Sequence, residues 1–478
     1  MLAMKAVKGG GWLVFSRFLG RAIDLLTLLV LARILTPADF GIAAIATSLV
    51  AIVDTVLELP VMQLLMRLRE VDKSHVDTGF TLSFLRSALI AMLFIVTAHP
   101  LSQLYGDPRL APVLMTMAIG PIAKGLASPN MVAFGRELSF QPIFAGEFVA
   151  KLTGAAFAIA TVFLGGGYWA IVVNSVAASV AGVIASYVLA PYRPHLSLAK
   201  FGDFSGFIGW FSGSQILSAF IWQFDRILLG KFVDKATLGQ YTLASDLSNF
   251  PAQSLIGPAT QPLIVAFAKI SLDPERLRIA FLKATRFAML ISAPICMGIS
   301  QTADLSVALL LGPQWHDAAP LLQILAPTFL AIPYNQTLSA FSLAVNKPVI
   351  VFYVNVIDIV ARIILIPLGL YLYSVHGVTA ARGLIAAIMF VVYLIYSRRV
   401  SGISVADQLK NLWKIAVALA AMAATVFIFR GSVGPLHLNI FVELVSTALI
   451  GASVYIGVLY ACGLRLAAGK NHLQLVDV

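Results

Sequence analysis

Long apolar runs succeed one another along almost the whole chain, separated by short polar breaks, and no segment outside them is long enough for a soluble domain. A helix needs about 20 apolar residues to cross the roughly 30 Å hydrocarbon layer, and backbone polar groups in lipid must be satisfied within the protein. The runs are continuous and lack the ten-residue alternation of barrel strands, so the expectation is an all-α integral membrane protein. Composition agrees: 59% of the 478 residues are hydrophobic and 12% charged, whereas soluble domains carry about 25% charged residues. Reading the runs between breaks predicts about 14 spans. They lie near 11–35, 42–66, 78–98, 110–130, 143–164, 168–190, 207–229, 238–267, 281–311, 318–345, 349–374, 378–397, 413–430 and 438–462. The first run is too long, and too charged at Arg17, Arg21 and Asp24, for a cleavable signal peptide.

The second part of the chain repeats the first at an offset of 198 residues, as from Ala32 to Gly230. Ala32-Arg33-Ile34-Leu35-Thr36-Pro37-Ala38-Asp39-Phe40-Gly41 aligns without a gap on Gly230-Lys231-Phe232-Val233-Asp234-Lys235-Ala236-Thr237-Leu238-Gly239. The same register sets Ala46 on Ala244, Pro60 on Pro258 and Gln63 on Gln261. A one-residue shift sets Phe84-Leu85-Arg86 on Phe281-Leu282-Lys283. Duplication in a helical membrane protein points to a transporter. The expected organisation is an N-terminal lobe over 1–200 (spans 1–6), a second lobe over 201–400 (spans 7–12), and two further spans with a cytoplasmic tail over 401–478. Six spans per repeat make the lobes parallel rather than inverted. The first, second, seventh and eighth spans are expected to line a cavity.

Positive charge orients the chain. With a cytoplasmic N-terminus, Lys5, Lys8, Arg67, Arg69, Lys73, Arg136, Arg193, Lys200, Lys269, Arg276, Arg278, Lys347, Arg398, Arg399, Lys410, Lys414, Arg465 and Lys470 fall inside, and only Arg33, Arg109, Lys231, Lys235 and Arg430 outside. Both termini are therefore expected in the cytoplasm. This accounts for much of the net charge of +11 without invoking nucleic acid.

Ten cations remain within spans, since 33 minus the 23 just named leaves 10. Arg226, Arg382, Lys124, Lys283 and Arg286 lie near span ends, where long side chains reach the interface. Arg17, Arg21 and Asp24 share one face of the first span, with Arg21 about 15 Å deep. A charge at that depth costs at least about 2.5–3.5 kcal/mol and marks a polar path. Glu147 with Lys151, and Asp358 with Arg362, are i, i+4 pairs that either neutralise each other or serve the path. Arg86 in the third span has no local acid, which makes it a ligand candidate. Asp54 and Glu58 share a face and suit either a coupling cation or the arginines of the first span. The candidate substrate ligands are thus Arg17, Arg21, Arg86, Lys151 and Arg362, with Asp24, Asp54, Glu58, Glu147 and Asp358 as charge partners. Pro60 and Pro258, each followed three residues later by glutamine (Gln63 and Gln261), are candidate hinges at a gate.

The cation excess inside the spans implies an anionic substrate, for which an arginine fork suits phosphate oxygens. A cation exporter would need the opposite sign. No Walker A pattern or HExxH motif occurs, and the seven histidines lie in loops, tails or span ends, so no cofactor, metal or catalytic residue is expected. Cys296 and Cys462 sit singly in apolar spans and suggest neither a disulfide framework nor a metal site.

The stretch Ala32 to Gly41 after an arginine-bearing span, and Asp225-Arg226-Ile227-Leu228-Leu229-Gly230 followed by Leu238-Gly239-Gln240-Tyr241, resemble the polysaccharide transporter branch of the MOP superfamily, the Wzx-like flippases. The resemblance implies a 14-span fold of two six-helix lobes about a cationic cavity. It also implies alternating-access movement of undecaprenyl-pyrophosphate-linked sugar units across a bacterial inner membrane, for surface or exopolysaccharide. Its implied partners are the lipid-linked oligosaccharide, membrane lipids, and polymerase and co-polymerase proteins. A lipid II flippase, a multidrug-type cation antiporter and a membrane polymerase or ligase are the alternatives. The short outer loops speak against the last, since a polymerase would present a substantial periplasmic loop with polar catalytic residues.

Overall fold

A computed structural model describes the backbone of residues 2–68, 70–137, 139–251, 257–433, 439–468 and 473–477. Side chains at 2–17, 63, 67, 205–215, 257–262, 465–468 and 473–477 lie outside the described set. The chain first forms α1 (Leu2–Ile34), α2 (Pro37–Val56), α3 (Val61–Arg67), α4 (Lys73–Tyr105), α5 (Leu110–Met117), α6 (Ile119–Gly125) and α7 (Val132–Arg136). It continues through α8 (Gln141–Phe163), α9 (Trp169–Leu189), α10 (Phe201–Phe232), α11 (Lys235–Pro251), α12 (Gly257–Lys269) and α13 (Pro274–Gln301). The remainder comprises α14 (Ala303–Leu310), α15 (Ala318–Thr328), α16 (Ile332–Ala344), α17 (Val349–Ser401), α18 (Val405–Val433) and α19 (Ile440–Ala461). A short antiparallel hairpin, β1 (Leu464–Ala468) with β2 (Leu473–Asp477), closes the tail. Apart from that hairpin the fold is all-α.

Each expected span overlaps one of these helices. By length and composition alone, eight helices among the described residues can cross a membrane. The pair Leu110–Gly125 and Pro129–Arg136, bent by 56°, makes a ninth. One of the eight, α17, contains a reversal at Tyr373–Ser374, where Ser374 adopts φ 53°. Gly369 and Gly377 meet backbone to backbone across it, a contact a straight helix forbids because eight residues rise about 12 Å. The expected boundary between spans 349–374 and 378–397 falls at this reversal. Leu164, Val188, Tyr371 and Phe427 are each at least 75% exposed. Large apolar side chains so displayed on helices suit lipid and not water. This is a multi-pass membrane protein.

The repeated motif builds matching helix starts. Thr36 caps α2: its hydroxyl accepts from Asp39 N (3.2 Å) while the Asp39 carboxylate accepts from Thr36 N (3.0 Å), with Pro37 at the first position. This reciprocal box satisfies two amides that the helix leaves unpaired. At α11 the residue types are exchanged: Asp234 accepts from Thr237 N (2.9 Å) and from its hydroxyl (2.6 Å). The two helix starts then touch. A Cβ on Gly41 would stand 1.8 Å from Lys235 O, and one on Gly239 would stand 1.8 Å from Pro37 O. Across the preceding turn the Tyr241 hydroxyl donates to the buried Asp225 carboxylate at 2.8 Å.

The chain divides into two compact units, Met1–Thr242 and Leu243–Val478. The first therefore holds α10 and the start of α11, because α10 packs along α2. Within the second unit, Arg430 of α18 bonds Asp304 of α14 (2.5 and 3.0 Å) and approaches Glu443 of α19 (3.7 Å). Tyr334 of α16 donates to Gln408 of α18.

Inside the first unit the segment 191–200, which joins the sixth and seventh expected spans, is strapped to the first turns of α4. The Tyr192 hydroxyl donates to Asp77 at 2.7 Å, with His195 3.5 Å from the other carboxylate oxygen. Ser197 N donates to Thr81 Oγ1 (2.8 Å) and Lys200 N to Thr78 Oγ1 (3.3 Å). His75 bridges Asp72 (2.7 Å) and Asp203 (3.2 Å). Burial and the Asp77 hydrogen bond push the Tyr192 hydroxyl up, so it remains a donor through the physiological range. The His75 amide holds the Asp72 carboxyl below its ordinary value, so its share of the strap is lost only at strongly acid pH. A hydrogen bond to a charged group contributes about 1.5–3 kcal/mol. We therefore expect Asp77→Ala to speed amide hydrogen exchange at Ser197 and Lys200 by roughly tenfold or more. Unchanged exchange there would mean the strap is held by packing alone.

Candidate functional site

Two clusters in the first unit each set two cations against one acid. In the first, α1 packs along α8, and Lys151 of α8 reaches Asp24 of α1 with both carboxylate oxygens at 2.5 Å. Arg21, one turn before Asp24, is left 3.9 Å from the same acid with 46% of its side chain exposed. Lys151 thus turns away from Glu147, which is exposed and forms no ion pair among the described residues. The expected i, i+4 pair is not made, because an acid on the neighbouring helix accepts the ammonium in a tighter geometry.

The second cluster sits where α2 breaks. α2 ends at Val56, and Pro60 precedes α3 with φ −78° and ψ 51°. Pro60 therefore marks a gap between two helices and not a kink in one. The carbonyls freed there need donors. Arg86 of α4 supplies them: Nε donates to Leu57 O (2.7 Å) and one terminal nitrogen to Asp54 O (2.6 Å) and to the Asp54 carboxylate. Arg86 is only 12% exposed and Asp54 24%. Arg86, expected to lack a local acid, meets one on the neighbouring α2. Lys124 of α6 stands 3.5 Å from the other Asp54 oxygen with 61% of its side chain exposed. Asp54 accordingly pairs with Arg86 and Lys124, and among the described residues it forms no pair with Arg21. The α6 end that carries Lys124 is pinned to α4, since a Cβ on Gly125 would stand 1.7 Å from Ser87 Oγ and 2.6 Å from Ser83 O.

Counting formal charges, Arg21, Asp24 and Lys151 sum to +1, and so do Asp54, Arg86 and Lys124. In each cluster one cation locks the acid and the other keeps a long contact and an exposed side chain.

The remaining candidates disperse. Asp358 and Arg362 form the expected intrahelical pair in α17 at 2.7 Å, 14% and 12% exposed. Glu58 lies in the α2–α3 gap. The side chains of Arg17, Gln63, Pro258 and Gln261 lie outside the described residues; their backbones fall in α1, α3 and α12. Pro258 is the second residue of α12, so both candidate hinge prolines stand at helix starts. Two of the expected outer cations are also engaged with carbonyls. Lys231 donates to Leu104 O, and Lys235 to Gly230 O (3.1 Å) and Tyr105 O (3.3 Å), where they offset the negative ends of α4 and α10. Nearby, burial opposes the Asp107 charge, but hydrogen bonds from Arg109 outweigh it and hold the carboxyl below its usual range. No group of three or more metal-binding side chains occurs among the described residues.

Both clusters lie between helices of an all-α membrane protein, and comparison with solved structures gives its fold. The lipid II flippase MurJ in an inward closed conformation superposes with a TM-score of 0.74 at 14% identity, over 93% of this chain and 97% of that one. An inward-facing multidrug resistance MATE family transporter of the MOP superfamily gives 0.64 at 15% identity, over 80% and 95%. The fold is that of MOP-superfamily transporters. A family model described as "Polysaccharide biosynthesis protein" matches residues 30–320, and the chain belongs to that family. Among its relatives, the lipopolysaccharide biosynthesis protein WzxC of Escherichia coli (strain K12) is 22% identical over 421 residues, 86% of this chain and 85% of that protein. The succinoglycan biosynthesis transport protein ExoT of Rhizobium meliloti (strain 1021) is 24% identical over 345 residues, 70% and 69% of the two chains. The resemblance to the Wzx-like branch, drawn from the motifs at Ala32 and Asp225, stands.

Proposed function

We propose that the protein carries polyprenyl-pyrophosphate-linked oligosaccharides across a bacterial inner membrane by alternating access, supplying surface or exopolysaccharide synthesis. The observation that carries this reading is Arg21. It is a cation deep in an apolar helix whose acid is already held by Lys151 at 2.5 Å. A charge at that depth in a membrane span needs a partner. The diphosphate of a lipid-linked sugar supplies one, and the guanidinium fork matches its oxygens. The relatives' named roles in polysaccharide biosynthesis and transport favour the same substrate class, and the excess of positive charge in both clusters disfavours a cation antiporter. A lipid II flippase handles the same chemistry and is the second reading. The proposed arrangement has fourteen spans with both termini cytoplasmic, the side favoured by basic residues. The matched helix starts at Pro60 and Pro258 are its proposed hinges. Polymerase and co-polymerase proteins are its proposed partners downstream.

The test is complementation of a flippase-deficient strain that makes the cognate lipid-linked unit. Arg21→Ala is expected to cut polymer output at least tenfold with the protein at near-normal level in the membrane, and Arg21→Lys to keep part of it. Full output from Arg21→Ala would reject the ligand role. Rescue of a lipid II transport defect, without polymer rescue, would favour the second reading.

A further inference from the structure

We propose that Lys124 is a second phosphate-receiving cation, serving the diphosphate of the lipid-linked substrate at a place in the first unit separate from Arg21. This rests on the reading under Proposed function. Position in the sequence suggests only that Lys124 snorkels from a span end. The geometry adds an acid on the neighbouring helix, because Lys124 stands 3.5 Å from Asp54 of α2 while most of its side chain stays exposed.

Three observations carry the proposal. The acid beside Lys124 is already claimed: Arg86 holds the Asp54 carboxylate and both Asp54 O and Leu57 O. Asp54 therefore has little left with which to neutralise a second cation, and the contact to Lys124 is long at 3.5 Å. Second, the lysine is available. Its side chain is 61% exposed, whereas Arg86 behind it is 12% exposed. Third, the backbone that presents it cannot drift, because the neighbouring Gly125 sits against Ser83 and Ser87 of α4 with no room for a side chain. An exposed ammonium on a tightly held backbone, in a cluster of net charge +1, is the arrangement that draws an anion, and the partly apolar surroundings strengthen the attraction.

The Arg21 cluster has the same logic with different parts. There Lys151 locks Asp24 and the arginine is released, while here Arg86 locks Asp54 and the lysine is released. In each case the acid keeps the cluster from carrying two bare cations, and an arriving phosphate displaces the weaker of two contacts. The receiving residues are then Arg21 and Lys124, and Lys151 and Arg86 are positioning residues.

A phospholipid headgroup offers similar chemistry, and the experiment separates the two sources. The full-length protein is placed in phosphatidylcholine nanodiscs and titrated with undecaprenyl diphosphate, and in a second arm with phosphatidylglycerol. Lys124→Gln is expected to weaken diphosphate binding on the order of tenfold, a change worth about 1.4 kcal/mol. Lys124→Arg should stay within about twofold of the parent, and phosphatidylglycerol binding should change little. Lys124→Met serves as a second neutral variant, and thermal melting of each confirms that the fold is kept. Unaltered diphosphate binding in both neutral variants would overturn the proposal, and so would an equal loss for phosphatidylglycerol, which would make this a general headgroup site. The failures are distinguishable. If Arg21→Gln loses binding and Lys124→Gln does not, the Lys124 proposal falls and the transport reading stands. If the parent protein binds no diphosphate lipid at all, both fall.

Discussion

Valine at either Gly41 or Gly239 will leave little folded protein in the membrane. At both positions the missing side chain is replaced by a carbonyl of the other helix, 1.8 Å from where a Cβ would stand. No rotamer relieves that overlap, because the obstacle is backbone, so α2 and α11 would have to separate at their starts. Overpacking a well-fitted core costs about 1–3 kcal/mol, and pushing two helices apart in lipid also forfeits the close approach that small residues permit. The separation would further disturb the caps at Thr36 and Asp234, each worth about 1 kcal/mol. The expected result is a severe fall in membrane level and melting temperature for Gly41→Val, matched by Gly239→Val. Gly457→Ala, where nothing lies within 4 Å, should behave as the parent. Normal accumulation of either valine variant would show that the helix starts have room the geometry denies them.

That pair also shows what a sequence reveals and what it hides. The register that sets Gly41 on Gly239 and Thr36 on Asp234 is visible as duplication, because each copy needs its own helix start and the cap chemistry is local. That the two copies touch one another is a tertiary fact with no local signature. The spans were legible because lipid imposes a length and a composition on every crossing. The reversal at Ser374 was legible as a break in hydropathy. The division of the chain after Thr242 has no such signal, because it falls inside α11 and follows from α10 packing along α2.

Charges were legible where both partners share a helix and no better partner exists. Asp358 and Arg362 pair as their spacing predicts. Glu147 and Lys151 have the same spacing and do not pair, since the i, i+4 rule knows nothing of Asp24 on α1. A lysine stem is long enough to cross to another helix, and it goes where two carboxylate oxygens can be met at once. Arg86 was marked out by lacking a local acid in its expected span. The reason it is tolerated, a set of freed carbonyls at the α2 break, depends on where α2 stops and on which side of α4 faces it. Lys124 carried no signal beyond its charge.

Arg86→Ala should therefore damage the protein in a different way from Arg21→Ala. Arg86 is nearly buried and satisfies two carbonyls and one carboxylate. Removing it leaves Asp54 with only the distant Lys124, and leaves Leu57 O without its donor at the end of α2. Breaking a buried ion pair from one side costs about 3–5 kcal/mol, because the abandoned charge stays buried. Melting temperature and membrane level should fall together, with transport lost as a consequence. Arg86→Lys should recover only part of the stability, since a single ammonium cannot meet the Leu57 carbonyl and the Asp54 carboxylate in the fork's geometry. Adding Asp54→Ala to Arg86→Ala should cost less than the two single losses combined, because the orphaned carboxylate is gone. Strict additivity would mean the two side chains do not act as a pair. Arg21→Ala, by contrast, removes a half-exposed side chain whose acid is held by Lys151, and should leave melting nearly unchanged while transport is lost. An Arg86→Ala protein that melts normally yet fails to transport would move Arg86 from the scaffold of the α2 break to the substrate path.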